Sequence, residues 1–176
     1  MTATPDDAAQ ERAQLIPQPR RELLTSRRQY LEAFDGLLAL VRRELRVFDP
    51  DGMQLELNSP ARSAALRQFL LASPDNRLFV VVHDPEHIKR SCPRMLDCLR
   101  DFSTAIAIHQ SEGEAARAQD CFVLADGEHF VRRPVAAQPR GVYALSDRRE
   151  AHLMRERFDE IWQSSVPAVS ATTLGL

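Results

Sequence analysis

Acidic and imidazole side chains gather where three apolar runs end. Asp49 and Asp51 follow residues 45–48, His83 and Asp84 follow residues 78–82, and His109 and Gln110 follow residues 105–108. A carboxylate beside an imidazole can exchange protons or hold a divalent metal. In an open α/β sheet, the ends of adjacent parallel strands bring such groups to one edge. The same residues also suit plainer work, because Asp49-Pro50 and Asp84-Pro85 are ordinary turn and helix-cap chemistry. His83 and His87 have the spacing of a two-imidazole metal site on a helix, but Pro85 starts the helix between them and no third ligand has diagnostic spacing. Arg132, Arg133 and Arg140 flank a loop, where forked guanidinium groups can clamp a phosphate or carboxylate. Arg132 and Arg133 serve equally well as edge-strand charges that discourage sheet-to-sheet aggregation.

The three cysteines, Cys92, Cys98 and Cys121, lack paired C-x-x-C spacing and read as buried, reduced thiols. No G-x-S-x-G elbow and no glycine-rich phosphate loop occurs. The common hydrolase and nucleotide motifs are therefore missing, and no cofactor or metal is expected.

The elements that position these groups follow from periodicity and punctuation. Tyr30, Phe34, Leu37, Leu38, Val41 and Leu45 recur at three- and four-residue steps, which predicts a helix with one apolar face from about Thr25. A short strand over 45–48 ends at Asp49-Pro50-Asp51-Gly52. Ser59-Pro60 starts a second helix, the serine oxygen capping free amides and the proline sacrificing no needed N–H. The run 78–82 is apolar throughout, which predicts a strand buried on both faces. Pro93 lies about two turns past Pro85 and predicts a helix break near Ser91-Cys92. Residues 105–108 are a third strand, and strands separated by helical crossovers are expected to be parallel. Asp126-Gly127 between two β-type runs predicts a tight hairpin. A strand over 141–145 then leads to a last helix, capped by Ser146, with Leu153, Met154, Phe158, Ile161 and Trp162 as its apolar ridge. The expected fold is a three-layer α/β domain with a mixed, mostly parallel sheet flanked by helices. Its expected division is a flexible arm over 1–22, the domain over 23–165 and a tail over 166–176.

The order of elements, the strand–Asp126-Gly127–strand hairpin and the closing Phe158-Asp-Glu-Ile-Trp162 resemble one half of a phospholipase D-type enzyme. The signature of that superfamily is H-x-K-x-x-x-x-D, with its aspartate where the hairpin turns. Laid on Asp126, the signature puts its histidine at Gln119 and its lysine at Cys121. The resemblance assigns phosphorus attack to the histidine and stabilisation of phosphoryl oxygens to the lysine; a glutamine is no such nucleophile, and a neutral thiol supplies no cation. The resemblance thus implies a pseudo-enzyme with respect to phosphodiesters. It also implies a homodimer, since single half-domains of the family pair. The chain is further similar to an uncharacterised bacterial domain family sometimes found beside acetyltransferase-like domains, which makes such a protein a candidate partner.

Bulk properties narrow the alternatives. With 176 residues, 44% of them hydrophobic, the chain suits one ordinary globular domain. No apolar run approaches the ~20 residues of a membrane span. The acidic start, Met1-Thr-Ala-Thr-Pro-Asp-Asp, is unlike a secretory signal, so a cytoplasmic protein with no membrane association is expected. A net charge of −2 gives no general attraction to nucleic acid. A binding or assembly domain is the first reading. An enzyme using Asp49, His83, Asp84 and His109 is the second, provided these converge, and a nucleic-acid-binding module is the third.

Overall fold

The computed structural model describes residues 18–171. Strand β1 (Arg20–Leu24) precedes helix α1 (Arg27–Leu40), strand β2 (Glu44–Phe48), helix α2 (Pro60–Ala72) and strand β3 (Arg77–Val82). Two short helices, α3 (Glu86–Ser91) and α4 (Pro93–Asp101), lead to β4 (Ile106–Ser111). The hairpin β5 (Cys121–Ala125) and β6 (His129–Arg133) follows, then β7 (Gly141–Leu145), helix α5 (Arg148–Gln163) and β8 (Ser165–Val169).

Local chemistry sets the helix boundaries. The Ser26 and Ser59 hydroxyls accept from the amides of Gln29 and Arg62, and Pro60 occupies the first turn of α2. The chain breaks between α3 and α4 at Cys92, directly before Pro93. The last helix is capped by Asp147, whose carboxylate accepts from the Glu150 amide, and not by Ser146. Ser146 itself adopts a φ of 54°, so the chain turns one residue later than expected. Leu153 is 55% exposed and leaves the apolar ridge; Ala151, Met154, Phe158 and Ile161 form it.

One eight-stranded sheet runs in the order β1-β7-β6-β5-β2-β3-β4-β8. It is mixed, but not mostly parallel: β2–β3 and β3–β4 are parallel and every other pairing is antiparallel. The three crossover-linked strands are parallel as expected, while hairpin connections and the two edges account for the rest. Helices α1 to α4 cover one face and α5 the other, giving three layers. Alternate strand residues serve the two cores: Leu45, Val47, Leu78, Val80, Cys121 and Val123 face the four helices, and Phe48, Val81, Phe122 and Leu124 face α5.

Both edges differ from expectation. Residues 20–22 of the stretch read as an arm belong to β1, which pairs with β7 and buries Leu24; residues 1–17 lie outside the described residues. Residues 165–169, at the head of the stretch read as a tail, form β8 against β4, with a bulge beside His109. Pro167 is tolerated there because an edge strand has one side without partners. Residues 172–176 also lie outside the described residues. No helix among the described residues is long and apolar enough to cross a membrane.

The parallel and hairpin halves meet at Asp126. Its carboxylate accepts the amides of Arg42 (2.9 Å), Arg43 (2.8 Å) and Glu44 (3.0 Å), and its own N–H donates to the Glu44 carbonyl (2.9 Å). Asp126 and Gly127 have φ of 55° and 68°, as a type I′ turn requires. Asp126→Ala is expected to lose about 3 kcal/mol in urea unfolding, from charged hydrogen bonds and left-handed strain, with Asp126→Asn intermediate. An alanine variant within about 1 kcal/mol of wild type would contradict this role.

Candidate functional site

The strand-end residues do not converge. In the parallel β2–β3 pair, Phe48 lies opposite Val81, so Asp49 shares a face with Val82 and His83 shares the face of Phe48. His83 packs edge-on against Phe48, with ring centroids 5.4 Å apart. Its Nδ1 lies 2.5 Å from the Ser111 hydroxyl and its Nε2 lies 2.6 Å from the Ala118 carbonyl. A carbonyl only accepts, so Nε2 carries the proton. The ring is fully engaged as a brace between β3, β4 and the loop before β5. Asp84 is exposed and accepts from the Glu86 amide, while the Gln110 side chain donates to the His83 carbonyl. His109 stacks on Trp162 at 3.7 Å and contacts the Ser165 hydroxyl, and burial lowers its pKa. Among the described residues, no group of three His, Cys, Asp or Glu side chains is placed to hold a metal ion.

On the opposite face a different set does assemble. Asp49 (1% exposed), Tyr30 (0%), Cys121 (0%) and Arg133 (3%) lie together where β2 ends, β5 begins and β6 ends, beneath α1. The Tyr30 hydroxyl lies 3.4 Å from the Cys121 sulfur, and the Arg133 guanidinium stacks 4.2 Å from the centre of the Tyr30 ring. Arg133 faces Cys121 across the β5–β6 ladder. Its Nη1 donates to the Gln54 side-chain oxygen (3.1 Å) and the Ala136 carbonyl (3.3 Å). Asp49 Oδ2 accepts from the Gln54 amide (2.9 Å), whereas Oδ1 has no donor. Asp51 is exposed at the rim, accepting from the Met53 amide and the Gln54 side chain.

Burial governs the electrostatics of this cluster. It pushes the Cys121 thiol up to about 12, with Asp49 adding to the effect, so the sulfur stays protonated. Tyr30 is raised well above its ordinary value by burial and then by Cys121. Asp49 is raised to about 7, first by burial and then by the neighbouring Asp51 carboxylate, against the pull of the Gln54 and Leu55 amides.

The other arginines and the remaining signature positions lie elsewhere. Arg132 reaches Glu150 on α5 (3.4 Å), across the sheet from Arg133, and Arg140 is exposed. Gln119 is exposed, its carbonyl accepting from the Ala136 amide. Asp126 closes the far end of β5, its carboxylate occupied by the three amides already described. Tyr30 and Gln54 are the members that sequence reasoning missed: Tyr30 reads as part of an apolar helix face, and Gln54 sits in a loop without periodicity.

The sign of the Asp49 effect on stability is set by its raised value. Below the ordinary carboxylate value of 3.8 the group is neutral in both states and costs nothing. Between there and about 7 the folded protein binds the extra proton, so stability falls as pH rises, and the penalty is complete above about 7. A shift of that size corresponds to roughly 4 kcal/mol. Asp49→Asn is expected to flatten this slope and raise the melting temperature at pH 8 relative to wild type; parallel pH profiles for the two proteins would refute the assignment.

Comparison with solved structures gives the fold a context. TrmBL2, an archaeal chromatin protein whose structure shows a novel mode of DNA binding, superposes with a TM-score of 0.63 at 13% identity, over 93% of this chain and 60% of that one. Nuc from Salmonella typhimurium, a phospholipase D family member, gives a TM-score of 0.60 at 11% identity, over 87% of this chain and 100% of its own. NucT from Helicobacter pylori gives 0.60 at 9% identity, over 86% and 100%. These likenesses establish a phospholipase D-like fold. No curated protein matches the sequence. A family does match residues 26–174, and the chain belongs to it: the domain of unknown function DUF7931.

Proposed function

We propose that this chain is a phospholipase D-like domain that acts by binding and assembly and does not cleave phosphodiesters. The observation that carries this reading is the state of Cys121. At the position of the signature lysine stands a thiol with no exposed surface, held protonated and in contact with Tyr30. It offers no positive charge to a developing phosphorane. At the histidine position, the exposed Gln119 carboxamide is no nucleophile. His83 and His109 are committed to Ser111, Ala118, Trp162 and Ser165 on the α5 side of the sheet.

The surface supports assembly better than nucleic-acid binding. Many of its arginines are matched by carboxylates, among them Arg62 with Asp35, Arg67 with Asp101 and Arg157 with Asp120, which leaves little unbalanced charge for phosphate contacts. At the β1 edge Leu23 is 77% exposed, and β1 lacks the proline that blunts β8. A second copy of the chain is the partner this reading favours, with an acetyltransferase-like protein as a further one.

Purified protein incubated with bis(p-nitrophenyl) phosphate is expected to release nitrophenolate no faster than buffer alone. Turnover that disappears in Gln119→Ala, a change at an exposed position that leaves the core intact, would overturn the reading.

A further inference from the structure

Two ionisable side chains in the buried cluster are left incompletely partnered. Arg133 Nε and Nη2, one whole edge of the guanidinium, have no acceptor, and Asp49 Oδ1 has no donor. Leaving charged groups open at such burial is costly, because the desolvation penalty is not offset. An ion pair between Asp49 and Arg133 would satisfy both, yet none forms. Arg133 is instead held by the Tyr30 ring, Gln54 and Ala136, and Asp49 by the Gln54 amide. The two groups nonetheless share one environment, since each acts electrostatically on both Tyr30 and Cys121.

We propose that Arg133 and Asp49 form a binding site for a small oxyanion, a carboxylate or phosphate group. Two of its oxygens accept from Nε and Nη2 of Arg133, the edge that fits two adjacent anionic oxygens in a forked pair. Asp49 completes the site by donating a proton from the unpartnered Oδ1, in keeping with a carboxyl raised by burial and by Asp51; Arg133, Tyr30 and Cys121 are the other ionisable groups of the cluster. A charged Asp49 would repel the guest, so binding tightens as pH falls through about 7. Gln54 and Ala136 belong to the loops after β2 and β6, and Arg133 Nη1 ties these two loops over the site. The site uses neither Gln119 nor Asp126. It rests on the binding reading above and gives that reading a ligand class.

The test is a titration of the full chain with inorganic phosphate and, separately, acetate, against chloride at constant ionic strength. It is read by thermal shift and by the Arg Nε–H resonances. Saturable stabilisation is expected with at least one anion, and the anion that gives it identifies the group. Arg133→Gln is expected to weaken binding by roughly tenfold or more. Because that change also cuts the loop ties, Arg133→Lys serves as the second variant: it keeps the charge, loses the fork and should bind comparably weakly. The exposed Arg149→Gln should match wild type. No saturable response to either anion, or equal affinity in wild type and both Arg133 variants, would overturn the site. Phosphodiester turnover with anion binding intact would overturn the previous reading and leave this site standing. Absence of both turnover and binding would overturn this site alone.

Discussion

The Asp126 carboxylate joins two sheets of different construction into one. On one side are the parallel strands β2, β3 and β4, each reached through helices; on the other is the antiparallel run of β5, β6, β7 and β1. The seam between them is the β2–β5 pairing, and Asp126 locks it by accepting three consecutive amides where α1 hands over to β2. A one-residue slip at this seam would send Val123 to the α5 face and Phe122 to the α1 face. Both cores, and the meeting of Cys121 with Tyr30 and Asp49, depend on that register being held.

From this seam follows the structural role of the start of β5. Cys121 opens β5 facing α1, so its small apolar thiol packs where a long cation would have to be buried. The positive charge in this region is Arg133, which faces Cys121 across the ladder and sits over the Tyr30 ring. Polar chemistry at these strand ends thus consists of a guanidinium with one edge unpartnered and a buried carboxyl. On the opposite face the equivalent space is filled by aromatic rings and by Arg46, which is held between Glu44 and Asp159 and stacks on Phe79 and Phe158.

What the sequence made legible was what local chemistry dictates. Ser59-Pro60, the break before Pro93, the Asp126-Gly127 turn and the doubly buried run 78–82 each carry a short-range cause, and each appears in the structure. Strands β1 and β8 escaped because an edge strand buries little: Leu24 alone is buried in β1, and Val169 alone in β8. Their pairing partners lie far along the chain, beyond any local pattern. Asp49, Cys121 and Arg133 were each singled out, but for separate reasons. Their convergence depends on register, since alternation sends Asp49 and His83 to opposite faces although both end adjacent strands. Tyr30 and Gln54 had no signal of their own.

The central claim is that position 121 belongs to the folded core. Urea unfolding of Cys121→Lys tests it most directly. A lysine there would force a long cation beside the Arg133 guanidinium into a space packed for a thiol, so a loss of about 3–5 kcal/mol is expected, with no gain of phosphodiesterase activity. A Cys121→Lys protein as stable as wild type would contradict the account, because it would mean that the position has room and solvent for a cation.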